Sequence, residues 1–134
     1  MEMCSRSDLL LESLRKFFQL PENEKQLRDI LEHKLGVSLR NLEWFVTNYS
    51  RKTNVTYVTP KGRPFTVHVA YKSSLDGYSK KFFDPFCRTE RIEFMGIITT
   101  IAQLNFIRFV ITNGIVEYIN EKGVLKLNKC SVPT

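Results

Sequence analysis

The residues best able to do chemistry lie together in Tyr78-Ser-Lys-Lys-Phe-Phe-Asp-Pro-Phe-Cys-Arg-Thr-Glu-Arg91, which packs four aromatic rings and four cations into fourteen residues. Rings favour burial, whereas ammonium and guanidinium groups favour water or an anion. A segment this dense in both predicts cations held on an apolar anchor. Cys87 stands beside Arg88, the setting of a reactive thiolate, yet no phosphate-cradling loop surrounds it and no base stands at motif spacing. Cys87 therefore reads as a half-buried structural thiol. His33 and His68 form no catalytic or metal-ligating spacing, and the chain has no P-loop or dinucleotide glycine pattern. Asp84, Glu90 and Glu93 read as ion-pair partners of Arg88 and Arg91 rather than metal ligands. The expectation is a protein that is not an enzyme and needs no metal or cofactor.

Binding is the better prospect. The net charge is +6, and residues 37–95 carry it, with 10 Lys/Arg against 5 Asp/Glu. Residues 1–36 hold 6 against 7. A basic middle attracts phosphate or an acidic partner. The candidate nucleic-acid or partner surface comprises Arg40, Trp44 and Arg51, then Lys61 and Arg63 at a hairpin tip, and Lys72, Lys80, Lys81, Arg88 and Arg91. Tyr71, Tyr78, Phe82, Phe83 and Trp44 would offer rings for base stacking, worth about 1–3 kcal/mol per base. The competing reading makes Phe82, Phe83 and Phe86 core plugs that pin the loop, with the lysines in water. A structural component, or another protein–protein interface using the same surface, is the alternative function. An edge strand at Val124–Leu127 would offer a further route to partners by strand addition.

The elements that must position these groups follow from periodicity. Ser7 is placed to cap a first helix carrying Leu10, Leu14, Phe17 and Phe18, which Pro21 stops. A second helix starts near Pro21, with Leu27, Ile30, Leu31 and Leu35 on one stripe and Gly36 as its cap. Ser38 caps a third, roughly 39–52, in which Trp44 lies opposite the apolar stripe beside Arg40, Asn48 and Arg51. Val55–Val58 and Phe65–Tyr71 read as the strands of a hairpin. Phe65, Val67, Val69 and Tyr71 alternate with Thr66, His68, Ala70 and Lys72. Leu75-Asp-Gly77 reads as a turn. Thr99 or Thr100 then caps a helix to about Thr112 that is apolar around most of its circumference and should organise the core. On it Gln103 needs a hydrogen-bond partner, and Asn105, Arg108 and Thr112 form a narrow polar stripe. Asn113-Gly114 interrupts the chain before a final helix at 115–122.

The expected fold is thus a single α+β domain over 1–134: a helical hairpin at 1–36 and a basic α+β core at 37–134. It has N-terminal helices, a small antiparallel β-hairpin and a buried apolar helix near 99–112. Cys4, Cys87 and Cys130 are too scattered for a disulfide framework or zinc site, which points to a reducing compartment. The sequons at Asn48 and Asn54 are expected to be chance, since no apolar signal core is readable. No apolar run is long enough to span a bilayer, so no membrane partner is expected.

Three blocks together resemble a family of small proteins of nucleocytoplasmic large DNA viruses: Ser-Leu-Arg-Asn-Leu-Glu-Trp-Phe-Val-Thr-Asn-Tyr-Ser (38–50), Tyr-Ser-Lys-Lys-Phe-Phe-Asp-Pro-Phe-Cys-Arg-Thr-Glu-Arg-Ile (78–92) and Thr-Thr-Ile-Ala-Gln-Leu-Asn-Phe-Ile-Arg-Phe (99–109). The resemblance covers most of 38–120 and leaves the N-terminal hairpin and C-terminal tail outside. It implies origin in a large DNA virus and residence in the host cytoplasm, a viral factory or the virion. It carries over no site residue.

Overall fold

The computed structural model describes residues 6–124. The edge strand expected at Val124–Leu127 therefore lies outside the described residues, apart from Val124, which is buried in a helical turn. Cys4 and Cys130 lie outside them too.

Helix α1 (Arg6–Phe18) buries Leu10, Leu14 and Phe18, one residue per turn. Ser7 sits within this helix instead of capping it. Helix α2 (Pro21–Leu31) opens on Pro21, whose missing N–H is no loss in a first turn. It stops four residues before the expected Leu35, because the chain passes through a left-handed residue at His33 (φ 61°).

Ser38 opens α3 (Leu39–Trp44) with a capping box. Its hydroxyl accepts from the Asn41 N–H, and the Asn41 side chain accepts from the Ser38 N–H, both at 3.0 Å. The helix then widens into a π segment (Phe45–Tyr49), in which the Ser50 N–H reaches back to the Phe45 carbonyl, and closes as α4 (Ser50–Lys52). Strands β1 (Thr56–Val58) and β2 (Pro64–Thr66) pair antiparallel, with Tyr57 opposite Phe65.

The expected strand 65–71 ends at Thr66. From Val67 the chain is helix α5 (Val67–Tyr78), which runs through the Leu75-Asp-Gly77 stretch read as a turn. The physical reason is a second periodicity in the same residues. Val67, Tyr71, Leu75 and Tyr78 fall on one helical face, and all are buried or half-buried. Val69, which a strand would bury, is 57% exposed. The helical face continues past Lys72, where the alternation stops, and so it buries more.

A single turn, α6 (Lys80–Phe83), follows. A second hairpin, absent from the sequence reading, comes next: β3 (Ile92–Phe94) and β4 (Ile97–Thr99), joined by Met95 and Gly96, both at positive φ as a two-residue hairpin turn requires. Helix α7 (Ile101–Thr112) is capped by Thr100 and buries Ala102, Leu104, Asn105, Phe106, Ile107 and Val110, as its composition predicts. Gly114, left-handed, links it to α8 (Ile115–Lys122). The domain is therefore α+β, with helices around α7 and two separate two-stranded sheets.

Ring contacts thread this core without a break. Trp44, Tyr49, Phe45, Tyr118, Tyr57, Phe65, Phe109, Phe83 and Tyr78 follow one another with centroids 4.6–5.9 Å apart. Each such pair contributes about 0.5–1.5 kcal/mol beyond its buried area. The chain of rings ties α3 and the first hairpin to α8, α7 and α6. Gly114 brings the hairpin close to the α7–α8 corner: a Cβ there would lie 3.2 Å from the Pro60 ring, on a backbone at φ +64°. Gly114→Ala should lower stability by about 1–3 kcal/mol in urea denaturation, whereas alanine at Gly77, in open space within α5, should be neutral or stabilising.

Candidate functional site

The aromatic and basic segment divides at Phe83. That ring is buried between Tyr71, Tyr78, Phe106 and Phe109, with centroids at 5.4–6.0 Å. The buried Asn105 amide donates to the Phe82 carbonyl at 2.9 Å, which holds α6 against α7. Arg108 donates to Asn105 Oδ1 (3.0 Å), to Ser13 Oγ (2.7 Å) and to Tyr78 Oη (3.5 Å). Asn105 and Arg108 thus spend their polarity inside the fold, and Gln103 accepts from Thr99 Oγ1 at 2.7 Å.

With α6 fixed, Lys80 and Lys81 project into water, and Lys81 Nζ lies 5.3 Å from the Phe82 ring centroid. Asp84 ends the turn and accepts from the Phe86 N–H at 3.0 Å. The reading of all three phenylalanines as plugs needs correction. Phe83 is buried and Phe82 half-buried, but Phe86 is 39% exposed and lies 4.6 Å beneath the Arg40 guanidinium. The turn at Asp84-Pro85 reverses the chain before Phe86 can reach the core, leaving its ring face to a cation. Arg88 and Arg91 are exposed, and neither forms an ion pair among the described residues. Their expected pairing with Asp84, Glu90 and Glu93 is not made, since Asp84 is turned toward its own loop. No metal-binding cluster occurs among the described residues. Cys87 is a half-buried free thiol.

Arg40, Trp44 and Arg51 do not share one face. At 100° per residue Trp44 and Arg51 would be neighbours, but the π segment adds about one residue to the intervening turn and swings Arg51 away. Tyr49 takes the place beside Trp44, whose half-buried ring lies 5.5 Å from it. Arg51 instead joins Lys72 in a groove of about 570 Å³ between the α3–α4 helix and α5, lined by Val46, Thr47, Arg51, His68, Tyr71, Lys72, Leu75 and Asp76. Tyr71 is buried, so its ring is a wall of this groove and not a stacking platform.

Beyond the groove, Glu43 and Asp84 approach across α3 and α6. Burial, then the Asp84 charge, raises the Glu43 carboxyl above its ordinary range, with Arg40 opposing. Burial, then Asp84 and Glu43, pushes the Tyr71 hydroxyl up to about 12. Lys61 and Arg63 are exposed at the tip of the first hairpin and line no part of the groove. The sequence reading missed Thr47, His68 and Asp76 as groove residues. His68 and Asp76 were read into a strand and a turn, and the signal that would have found them is the Val67, Tyr71, Leu75, Tyr78 stripe.

The model of a family of unknown function, DUF7197, matches residues 3–130. The chain belongs to that family. The match extends past 38–120 and takes in both the helical hairpin and most of the C-terminal tail. An uncharacterized protein of Acanthamoeba polyphaga mimivirus is 35% identical over an alignment of 124 positions that covers 82% of this chain and 48% of that relative. The chain thus spans about half the length of the curated relative it matches, and the similarity makes the family one of giant viruses. No solved structure matches.

Two measurements probe the local physics. Ser79, between α5 and α6, has φ 74° and ψ 161°, a region open essentially to glycine alone. Ser79→Gly should therefore raise the urea midpoint, by about 1 kcal/mol in free energy. The raised Glu43 carboxyl favours the protonated form in the fold. Its contribution is fully favourable below the ordinary carboxylate range and is lost as pH rises to the shifted value. Glu43→Gln should stabilise the protein at pH 7, and that gain should shrink as the pH is lowered through the carboxylate range.

Proposed function

We propose that this is a non-enzymatic protein of a nucleocytoplasmic large DNA virus that binds nucleic acid through its basic middle, acting in the host cytoplasm, a viral factory or the virion. One observation carries the reading. Arg40, Arg51, Lys61, Arg63, Lys72, Lys80, Lys81, Arg88 and Arg91 are all exposed, and none forms an ion pair among the described residues. The ion pairs seen among the described residues, Lys25–Asp29, Arg28–Glu24 and Lys34–Glu32, lie on or beside α2. Positive charge is left unneutralised where it is dense, and α6 is fastened to the core beneath it. Such a surface suits a polyanion, whose condensed counterions are released on binding.

The exposed Phe86 under Arg40 favours a second reading, in which the same surface meets a viral structural protein. An aromatic ring and an arginine side by side form a common hot-spot pair. Salt separates the two. Binding of single-stranded and duplex oligonucleotides, followed by anisotropy, should weaken log-linearly with salt, and an apolar protein interface should barely respond. Lys80→Glu with Lys81→Glu should lower the salt slope by about 2 and leave the fold intact by circular dichroism. Failure of every oligonucleotide to bind at low salt would eliminate the nucleic-acid reading.

A further inference from the structure

We infer that the groove between the α3–α4 helix and α5 is a nucleotide site, with the phosphate held between Arg51 and Lys72 and the base packed edge-on against Leu75 at the groove wall. The inference deepens the nucleic-acid reading above and rests on it for its ligand class. The groove encloses about 570 Å³, within the range of small-ligand sites. Its lining is divided by chemistry. Arg51 and Lys72 supply exposed cations, neither in an ion pair among the described residues. Leu75 supplies a half-buried apolar wall, backed by the buried Val46 and Tyr71. Thr47 lies on the α3–α4 side, its hydroxyl donating to the Glu43 carbonyl at 2.8 Å and accepting from the Asn48 side-chain amide at 3.1 Å. Asp76 stands exposed at the rim, one turn after Lys72, and provides an acceptor for a sugar hydroxyl or an exocyclic amine.

His68 marks the same place independently. Among the described residues its Nδ1 is the one buried side-chain polar atom with no hydrogen-bond partner. A buried polar atom is ordinarily satisfied, and here the unsatisfied one belongs to a residue of the groove lining, one turn before Lys72. A phosphate oxygen bridging Arg51 and Lys72 gives an imidazole N–H an acceptor, and the ring can present either nitrogen by turning about its terminal torsion. A simple anion would use the cations and leave the wall bare. A free fatty or aromatic acid would use the wall and leave one cation and the rim carboxylate unmatched. A nucleotide uses cations, wall and rim acceptor together.

The test titrates the intact chain with the four common nucleoside monophosphates, with inorganic phosphate, and with one oligonucleotide in 5′-phosphorylated and 5′-hydroxyl forms. Backbone and imidazole resonances are followed by NMR. Monophosphates should shift Thr47, His68, Lys72 and Leu75, including the His68 imidazole nitrogens, and should bind more tightly than inorganic phosphate. Arg51→Ala and Lys72→Ala should each weaken them about tenfold or more, while Lys122→Glu, exposed at the end of α8, should leave them unchanged. A preference for the 5′-phosphorylated oligonucleotide would assign the groove to a strand terminus. Monophosphate binding with no oligonucleotide binding would assign it to free nucleotides and end the nucleic-acid reading alone. Oligonucleotide binding without monophosphate binding would overturn the inference and leave the nucleic-acid reading intact. Equal binding of inorganic phosphate and monophosphates would also overturn it, because the wall would then contribute nothing.

Discussion

The Asn105 side-chain amide is the constraint on which the basic surface depends. It lies in the most apolar helix of the chain, and it is satisfied on both sides, giving a proton to the Phe82 carbonyl and accepting one from Arg108. A buried amide without those partners costs about 1–3 kcal/mol, so the two bonds specify where α6 must sit. Arg108 extends the network to α1 through Ser13 and to the end of α5 through Tyr78. Four helices are thereby registered by one polar cluster, and apolar packing of Phe83 completes the seat. Lys80 and Lys81 owe their fixed position to residues they never touch.

Electrostatics follows from that registration. Among the described residues the short-range ion pairs sit on and beside α2, where each contributes little. The middle of the chain keeps its cations apart from its carboxylates. Asp84 serves its own turn, and Glu43 is partly desolvated beside it, so neither neutralises the rim arginines at close range. Arg40 is held by a ring face instead of a carboxylate, which orients the guanidinium and preserves its charge for an external anion.

The sequence made some of these features legible and hid others for identifiable reasons. The core helix, its Thr100 cap, the break at Asn113-Gly114 and the Ser38 cap were readable because apolar density and cap chemistry are local signals. Residues 65–78 were not, because Phe65-Thr-Val-His-Val-Ala-Tyr satisfies a period of two and a period of 3.6 over the same span. Only burial of Leu75 and Tyr78 beyond it decides for the helix. The β3–β4 hairpin escaped notice since Met95 occupies a left-handed turn position usually held by Asn or Gly. At the candidate site, the separation of the anchoring Phe83 from the cations around it was legible from composition. The groove was not, because it requires both the α5 assignment and the true azimuth of Arg51.

That azimuth is the one an unbroken α-helix would give if it were one residue shorter. A π segment accommodates one residue more than the α-helical turn it replaces, which is what inserting a residue into an existing helix produces. Deleting one residue within Phe45–Tyr49 would restore α geometry and leave Arg51 at its present azimuth, because the widened turn already absorbs the extra residue. Closing the turn to α geometry at constant length would instead rotate Arg51 by about 100° and carry the guanidinium from the groove to the Trp44 side. Relatives in which this helix is one residue shorter would therefore keep the groove as well as the composition of the basic middle, and an alignment gap there would mark where the widened turn arose within the family.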